Sequence, residues 1–333
     1  MNRRSTTVSA LAVAAIAAAA CGPSPGPAPV RAPAAVNETA PIPDAGDAAV
    51  PATYAESAAL VALTPGGETE LTLRIARFPG RGEATLWLAA YVGEHRYGVA
   101  LEDLELGDAM GVTSVESRDA TFAVTGPAEA RIECRERHTA AMVCTVRAQA
   151  LTHESLHPPL GAGSIPLRVE AEFRARHAGD RARPGRLEIF GTVRATLETR
   201  EGVRRFEGLG KYHEQTGDRP SFAGPFTYLA VQGEGESLLA RGGGGAIWGF
   251  ALLDGATATV TDFTIDPLGS PARAFRAVLA DGRTIEGTTE VVRETSVPIE
   301  GERRPSATVR ATTNLGPMTG HLNDWHPPAR EAE

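Results

Sequence analysis

The chain has 333 residues, with 33 lysines and arginines against 41 aspartates and glutamates, so its formal net charge is −8. This balance excludes the basic surface that nucleic-acid binding requires, and we expect no nucleic-acid partner. The length suffices for one large domain or two ordinary ones. Aromatic residues make up only 5% of the chain, which is low for a protein with a generous ligand pocket.

The N-terminus has the features of an export signal. Two arginines precede a short apolar stretch from Val8 to Ala20, and such a stretch is typical of a cleaved signal peptide rather than a permanent membrane span. Small residues lead directly into Cys21, and this sequence resembles the cleavage box of bacterial lipoproteins. We therefore expect residues 1–20 to be removed and Cys21 to carry a lipid anchor. The alternative is an ordinary secretory signal followed by an incidental cysteine.

Residues 21–52 are predicted to be a linker. They are rich in proline, alanine and glycine, without the apolar periodicity from which a core could form. Such a segment acts as a semi-rigid spacer between a membrane and a folded domain. By analogy with lipoproteins, Gly22 after the anchored cysteine favours the outer membrane of the cell envelope, at its periplasmic face or at the cell surface. The membrane, reached through Cys21, is thus a predicted partner; the sequence names no protein partner and predicts no cofactor.

Alternation with a period of two dominates the rest of the chain. Apolar residues alternate with polar or small ones from Leu71 to Ile75, from Leu167 to Ala175 and from Leu187 to Leu197, as in antiparallel strands with one buried and one wet face. Turn dipeptides such as Asp254-Gly255 recur between these runs. The pattern predicts an all-β protein.

The strands are predicted to form two β domains, residues 53–176 and residues 177–326, followed by a short tail of residues 327–333. The proposed break lies at a turn-rich run that begins at His177. Two barrels, or a barrel and a sandwich, fit this division. One continuous sandwich is the alternative.

Cys134 and Cys144 are predicted to form a disulfide. They flank a short polar run that reads as the tip of a hairpin, between two strand-like segments. In an oxidising compartment, two cysteines placed symmetrically about a turn indicate a crosslink. The alternative is a pair of buried free thiols.

The second half of the chain resembles a known family. Residues 206–219 read FEGLGKYHEQTGDR, and residues 248–255 and 260–263 read WGFALLDG and VTDF. This series is similar to the motif of the tandem lipocalin-like family that includes carotenoid 1,2-hydratases (hydroxyneurosporene synthases) and related Diels-Alderases. In the first half, residues 74–79 and 84–88 fit the opening strands of that family loosely.

The resemblance implies two antiparallel lipocalin-like barrels and a small hydrophobic ligand. It assigns acid-base catalysis to His213 and Glu214 and the lining of the ligand cavity to four aromatic residues: Tyr212, Phe226, Tyr228 and Trp248. The acid and the histidine stand in the reverse of the family's usual order, and Thr216 replaces a tryptophan. On a strand, this reversal sends each of the two side chains to the face opposite to the one it has in the family.

Three functions follow from this resemblance. Ligand binding in a barrel of the envelope protein is the first, and a hydratase-like or isomerase-like activity on a hydrophobic substrate is the second. The third is a structural or assembly lipoprotein without a small ligand, which would have a filled barrel and a large exposed apolar patch.

A rival motif, H-E-x-x-H, spans residues 153–157. On a helix this spacing would place His153 and His157 beside one zinc ion, with Glu154 as the general base of a peptidase. Two prolines follow at once and the preceding residues read as a strand, which opposes a helix here. A zinc peptidase is therefore kept as a remote alternative, and an exposed connection between strands is the expected structure.

Overall fold

The computed structural model describes residues 50–106, 109–110, 117–155, 159–179, 185–218, 225–243, 246–270, 272–299 and 302–325. All of them belong to one compact unit, residues 39–333. Cys21, residues 1–20, most of the linker, His157 and the tail lie outside the described residues, so the predictions made for them stay predictions.

The first eleven strands form one antiparallel sheet. In chain order they are β1 (Tyr54–Leu63), β2 (Thr69–Phe78), β3 (Glu83–Val92), β4 (His95–Glu105), β5 (Ala109–Met110), β6 (Ala120–Val124), β7 (Glu129–Arg135), β8 (Val143–Thr152), β9 (Ile165–Ala175), β10 (Arg186–Thr199) and β11 (Gly202–Asp218). Their order across the sheet is β4-β3-β2-β1-β11-β10-β9-β8-β7-β6-β5. A short 3₁₀ turn, Pro79–Arg81, connects β2 to β3.

The sheet curls so that β4 approaches the segment that follows β8. Gly98 on β4 pairs with His153, and Ala100 pairs with Gly161. The inner face of the curl is apolar because the alternating residues point there: Leu73, Ile189 and Phe173 are fully buried members of this core. The period-two pattern of the sequence thus predicted the inner face correctly.

The last eight strands form a closed antiparallel barrel. They are β12 (Phe226–Gln232), β13 (Ser237–Gly243), β14 (Trp248–Leu253), β15 (Ala256–Ile265), β16 (Ala272–Leu279), β17 (Thr284–Ile299), β18 (Glu302–Thr313) and β19 (Gly316–Trp325). β12 pairs with β19 and closes the barrel. The interior is packed with apolar side chains such as Leu229, Phe275 and Val309.

The outer face of the sheet packs against the outer face of the barrel. Phe190 on β10 and Tyr228, Leu239 and Phe250 on the barrel form a small apolar cluster of their own, with the rings of Phe190 and Phe250 5.7 Å apart. This contact buries a sheet face that the alternating pattern alone would assign to solvent.

The prediction of an all-β protein with a lipocalin-like barrel is confirmed. The change from sheet to barrel, however, falls after Asp218 and not at the predicted boundary between residues 176 and 177. β10 and β11 belong to the first sheet because β11 pairs along its length with β1 on one side and β10 on the other. Such pairing between distant segments leaves no local signal in the sequence.

The predicted disulfide is present between Cys134 and Cys144. The two residues face each other across the β7–β8 hairpin, as the symmetric spacing indicated. The disulfide therefore crosslinks two strands that backbone hydrogen bonds already pair.

Candidate functional site

Tyr212 and Glu214 point into the core of the curled sheet. Glu214 is almost fully buried; Tyr212 Oη donates to it at 2.9 Å, and Arg137 Nε, from the β7–β8 hairpin, donates to its Oε2 at 3.1 Å. Burial, reinforced by the Glu214 carboxylate, holds the pKa of Tyr212 well above its usual value. These two predicted site residues are thus part of a buried structural network.

His213 lies on the opposite, outer face of β11. Its Nδ1 is 2.9 Å from Oε1 of Glu188, the facing residue on β10. Burial lowers the pKa of His213 to about 3 although the Glu188 carboxylate opposes this shift. The imidazole is therefore neutral near pH 7 and donates its Nδ1 proton to Glu188, not to Glu214.

Glu188 is the centre of a buried charge cluster at the sheet–barrel junction. Its carboxylate is 2.7 Å from Lys211 Nζ and 2.6 Å from Arg186 Nη2, and Tyr228 Oη donates to it at 3.3 Å. Burial alone would raise the pKa of Glu188, but Lys211, His213 and Arg186 hold it well below its usual value. The cluster is charged, and it links the sheet to the barrel through Tyr228.

A second buried carboxylate, Glu70 on β2, makes a similar link. His321 Nε2 lies 2.9 Å from Glu70 Oε1, Arg293 Nη1 lies 3.0 Å from its Oε2, and Thr308 donates to it. Burial would raise the pKa of Glu70, but His321, Thr308 and Arg293 lower it on balance. All three partners are on the barrel, so Glu70 joins the two bodies of strands directly.

Between these two clusters lies a small cavity of about 130 Å³, which we call the interface cavity. Its wall combines rings with polar groups: Trp87, Tyr91, Tyr228, Lys211, His321 and Asn323. Nε1 of Trp87 is buried and has no hydrogen-bond partner among the described residues. Burial raises the pKa of Tyr91 to about 12, and the Glu70 carboxylate adds to this. Burial likewise raises the pKa of Tyr228 to about 12, with a contribution from Glu188, so both tyrosines of the wall are neutral hydrogen-bonding groups.

Three of the four aromatic residues predicted to line a barrel cavity are brought together, but outside the barrel, and the fourth is elsewhere. Tyr212 is inside the sheet, whereas Phe226, Tyr228 and Trp248 are on the outside of the barrel and face the sheet. The rings of Tyr228 and Trp248 are 6.0 Å apart, and the Arg186 guanidinium lies over the Trp248 ring at 4.4 Å. Of the four residues, Tyr228 lines the interface cavity.

The H-E-x-x-H segment does not form a zinc-binding helix in its described part. The residues before it belong to strand β8, and His153 follows that strand as an isolated bridge partner of Gly98. Glu154 pairs on the surface with Arg200 at 2.6 Å and with His95 at 3.3 Å. The described part of the motif therefore lacks the helix that a zinc peptidase site of this kind requires.

Two further observations concern the part of the chain that the structure describes. No three histidine, cysteine, aspartate or glutamate side chains there are grouped so as to hold a metal ion. No helix of the described ranges is long and apolar enough to cross a membrane.

Several residues of the junction were not singled out from the sequence: Glu70, Trp87, Glu188, Lys211 and His321. Each stands at a polar position of an alternating strand, where a solvated face is the ordinary expectation. The available signal was weak: Glu188 stands between the apolar Leu187 and Ile189 near the start of β10.

Comparison with known proteins supports the fold. No protein-family model and no curated protein matches the chain. Among solved structures, CghA with Sch210972 aligns with a TM-score of 0.51 at 9% identity, over 82% of this chain and 88% of that one. An AttH-like protein from Nitrosomonas europaea aligns with a TM-score of 0.47 at 11% identity, over 86% and 98% of the two chains. Kievitone hydratase from Nectria haematococca aligns with a TM-score of 0.44 at 6% identity, over 82% and 89%.

The fold and the junction together define the class of this protein. It is an all-β protein in which a large curled sheet packs against a closed eight-stranded barrel of lipocalin type, and it shares this fold with CghA. At 9% identity the likeness concerns the fold alone.

Proposed function

We propose that the protein binds a small hydrophobic molecule in the interface cavity, between the sheet and the barrel rather than inside the barrel. The observation that carries this proposal is the aromatic wall of Trp87, Tyr91 and Tyr228 around a cavity of about 130 Å³. An apolar cavity of about 150 Å³ accommodates benzene. The buried part of the ligand is therefore about one ring in size.

The polar groups of the wall define the ligand further. Glu70, Lys211 and His321 are already paired with protein groups, whereas the indole N–H of Trp87 lacks an acceptor among the described residues. A buried donor without a partner costs about 1–3 kcal/mol. A ligand that carries a carbonyl or ether oxygen beside its apolar ring would supply the acceptor.

Native mass spectrometry of the full chain, isolated from a cell envelope and followed by organic extraction, tests this proposal. We expect a stoichiometric small apolar molecule with the unaltered protein. Ala89→Phe, which fills the cavity wall, should release it, whereas Ala280→Phe at an exposed turn should not. A clean mass of the protein alone would contradict the proposal.

His213 supports a second candidate, the hydratase-like or isomerase-like activity that the family resemblance implies. A neutral imidazole whose Nδ1 proton is held by the buried Glu188 carboxylate keeps a basic lone pair on Nε2. Because burial lowers the pKa of His213 to about 3, this lone pair is a weak base near pH 7, and the activity expected from it is slow. Incubation of the extracted molecule with the protein in D₂O should then introduce deuterium, and His213→Asn should abolish the exchange; no deuterium with the unaltered protein would exclude this activity.

We further propose that the protein is anchored in the bacterial cell envelope by a lipid on Cys21, with the outer membrane as its site. The cleavage-box resemblance supports this. Metabolic labelling with a fatty acid should label the full chain but not Cys21→Ser, and the substitution should also release the protein from the membrane fraction. Equal membrane retention of both forms would contradict anchoring at this residue.

A further inference from the structure

A second and larger cleft, of about 820 Å³, lies further along the sheet–barrel junction. It shares none of its lining residues with the interface cavity. Its volume is within the range of about 300–1,000 Å³ that small-molecule sites occupy. We call it the arginine cleft, after Arg174, Arg176 and Arg194 in its wall.

The sheet side of the arginine cleft presents both signs of charge. Arg174 on β9 pairs with Glu172 at 2.8 Å, and Arg194 on β10 pairs with Glu207 on β11 at 2.9 Å. These pairs are largely exposed, and exposed pairs contribute little energy. They can therefore exchange partners with a ligand at low cost.

The barrel side presents a buried polar group that lacks a partner. Gln232, at the end of β12, is only 2% exposed, and its Oε1 has no hydrogen-bond partner among the described residues. Because a buried acceptor left unpaired is costly, a ligand donor placed here would gain more than one placed at the surface. An ammonium group is a donor of this kind.

Arg176 lies beside Gln232 and supplies a cation. Its Nη1 donates to the backbone carbonyl of Gly233 at 3.2 Å, and Nη2 contacts the carbonyls of Gly233 and Glu234. Among the described residues Arg176 makes no salt bridge, although the carboxylates of Glu236 and Glu234 lie near enough to interact with it electrostatically. A half-buried guanidinium held by carbonyls can still accept a carboxylate as a charge-assisted partner.

We infer that the arginine cleft binds a zwitterionic ligand of short-peptide size, with its carboxylate at Arg176 and its ammonium group toward Gln232. The balance of charges carries the choice of ligand: the wall holds three arginines and three glutamates, Glu172, Glu207 and Glu234. A simple anion or cation would meet as many repulsive charges as attractive ones, whereas a zwitterion can pair with both signs. This site is independent of the function proposed for the interface cavity.

Calorimetric titration of the full chain with trialanine tests the inference. Trialanine carries both termini charged, and N-acetyl-trialanine and trialanine amide each lack one charge. We expect trialanine to bind and each capped form to bind at least about tenfold more weakly, as the loss of one charge-assisted hydrogen bond predicts. Gln232→Leu should weaken trialanine binding by a similar factor.

Two variants test the location of the site. Thr192→Trp places a large ring in the cleft from an exposed position of β10 without altering Arg176 or Gln232, and it should abolish binding. Arg168→Gln, on the same face of β9 but outside the cleft wall, should leave binding unchanged. Absence of trialanine binding up to about 10 mM, equal binding of a capped form, or full binding by Thr192→Trp would each overturn the inference.

Discussion

Glu188 shows how a single buried acid can hold two bodies of strands together. Its carboxylate is 2% exposed and is contacted by Lys211, Arg186 and His213 from the sheet and by Tyr228 from the barrel. A buried charge pair is weak evidence for stability, since desolvation offsets the attraction. Removal of one partner is different, because it leaves the other charge buried without compensation.

Glu188→Gln should therefore lower the free energy of unfolding by about 3–5 kcal/mol. The substitution keeps the size of the side chain but leaves Lys211 without its carboxylate. Urea unfolding at pH 7.5 measures the change. Glu207→Gln is the matched control, because that acid is largely exposed. Equal stability of the two variants would show that the Glu188 cluster does not stabilise the contact between the sheet and the barrel.

His177 should make stability depend on pH. Burial, with a contribution from Arg176, lowers the pKa of His177 to about 4 from a usual value of 6.5, and Phe190 N donates to its Nε2 at 2.9 Å. The folded state thus binds fewer protons than the unfolded state between these pH values. The stabilisation is complete above pH 6.5 and is lost as the pH falls toward 4.

The expected loss attributable to His177 is at most about 3 kcal/mol. Urea unfolding between pH 7.5 and pH 4.5 measures it, and His177→Phe should have a smaller slope of stability against pH than the unaltered protein. His95→Gln removes a half-exposed histidine and serves as the control. Parallel slopes for His177→Phe and the unaltered protein would refute this assignment.

The β7–β8 hairpin contributes both its strands and its tip to the core of the curled sheet. Its disulfide joins the last residue of the core-facing row on β7 to the first on β8, and beyond it the tip turns inward. There Arg137 is 1% exposed and donates to Glu214 inside the curled sheet. The hairpin therefore places a charged group beside Glu214 in the core of the curled sheet.

Replacement of both Cys134 and Cys144 by serine should lower the free energy of unfolding by at most about 3 kcal/mol, since the crosslinked loop is short. Arg137→Ala should cost about 3–5 kcal/mol because it removes the buried guanidinium that pairs with the Glu214 carboxylate. Thermal unfolding of each variant measures both effects. Arg135→Ala, at an exposed position of the same hairpin, is the control for Arg137→Ala. A larger loss of stability in Arg135→Ala than in Arg137→Ala would contradict a stabilising contact between Arg137 and Glu214.

The elements differ in how far the sequence alone could predict them. Alternation identified β9 and β10 and their inner faces, because a period of two is a local property. Alternation also accounts for the opposite directions of His213, which contacts Glu188, and Glu214, which contacts Arg137. It could not reveal that β11 pairs with β1, about 150 residues earlier in the chain, nor that the barrel would cover the outer face. The candidate site was missed for this second reason, since Glu188 and Lys211 look like ordinary solvated residues until the barrel packs on them.

At the scale of the whole molecule, the sheet and the barrel are joined by buried polar contacts as well as by apolar ones. Glu70 on the sheet meets His321 and Arg293 on the barrel, while Phe190 and Phe250 pack nearby in the same junction. Separation of the two bodies would expose apolar surface to water and break these ion pairs. The apolar surface exposed by separation favours the joined state.

The sheet and the barrel should therefore unfold in a single transition. The three tryptophans allow a direct test: Trp87 reports on the sheet, whereas Trp248 and Trp325 report on the barrel. The double variant Trp248→Phe/Trp325→Phe and the double variant Trp87→Phe/Trp248→Phe each leave one reporter, and their fluorescence transitions in urea should coincide with the loss of β-sheet circular dichroism measured on the same variant. Adding Glu70→Gln to each pair should weaken the junction and separate the two transitions, whereas the same change at the exposed Glu207 should not. Separate transitions without any change at Glu70 would show that the junction does not couple the two bodies.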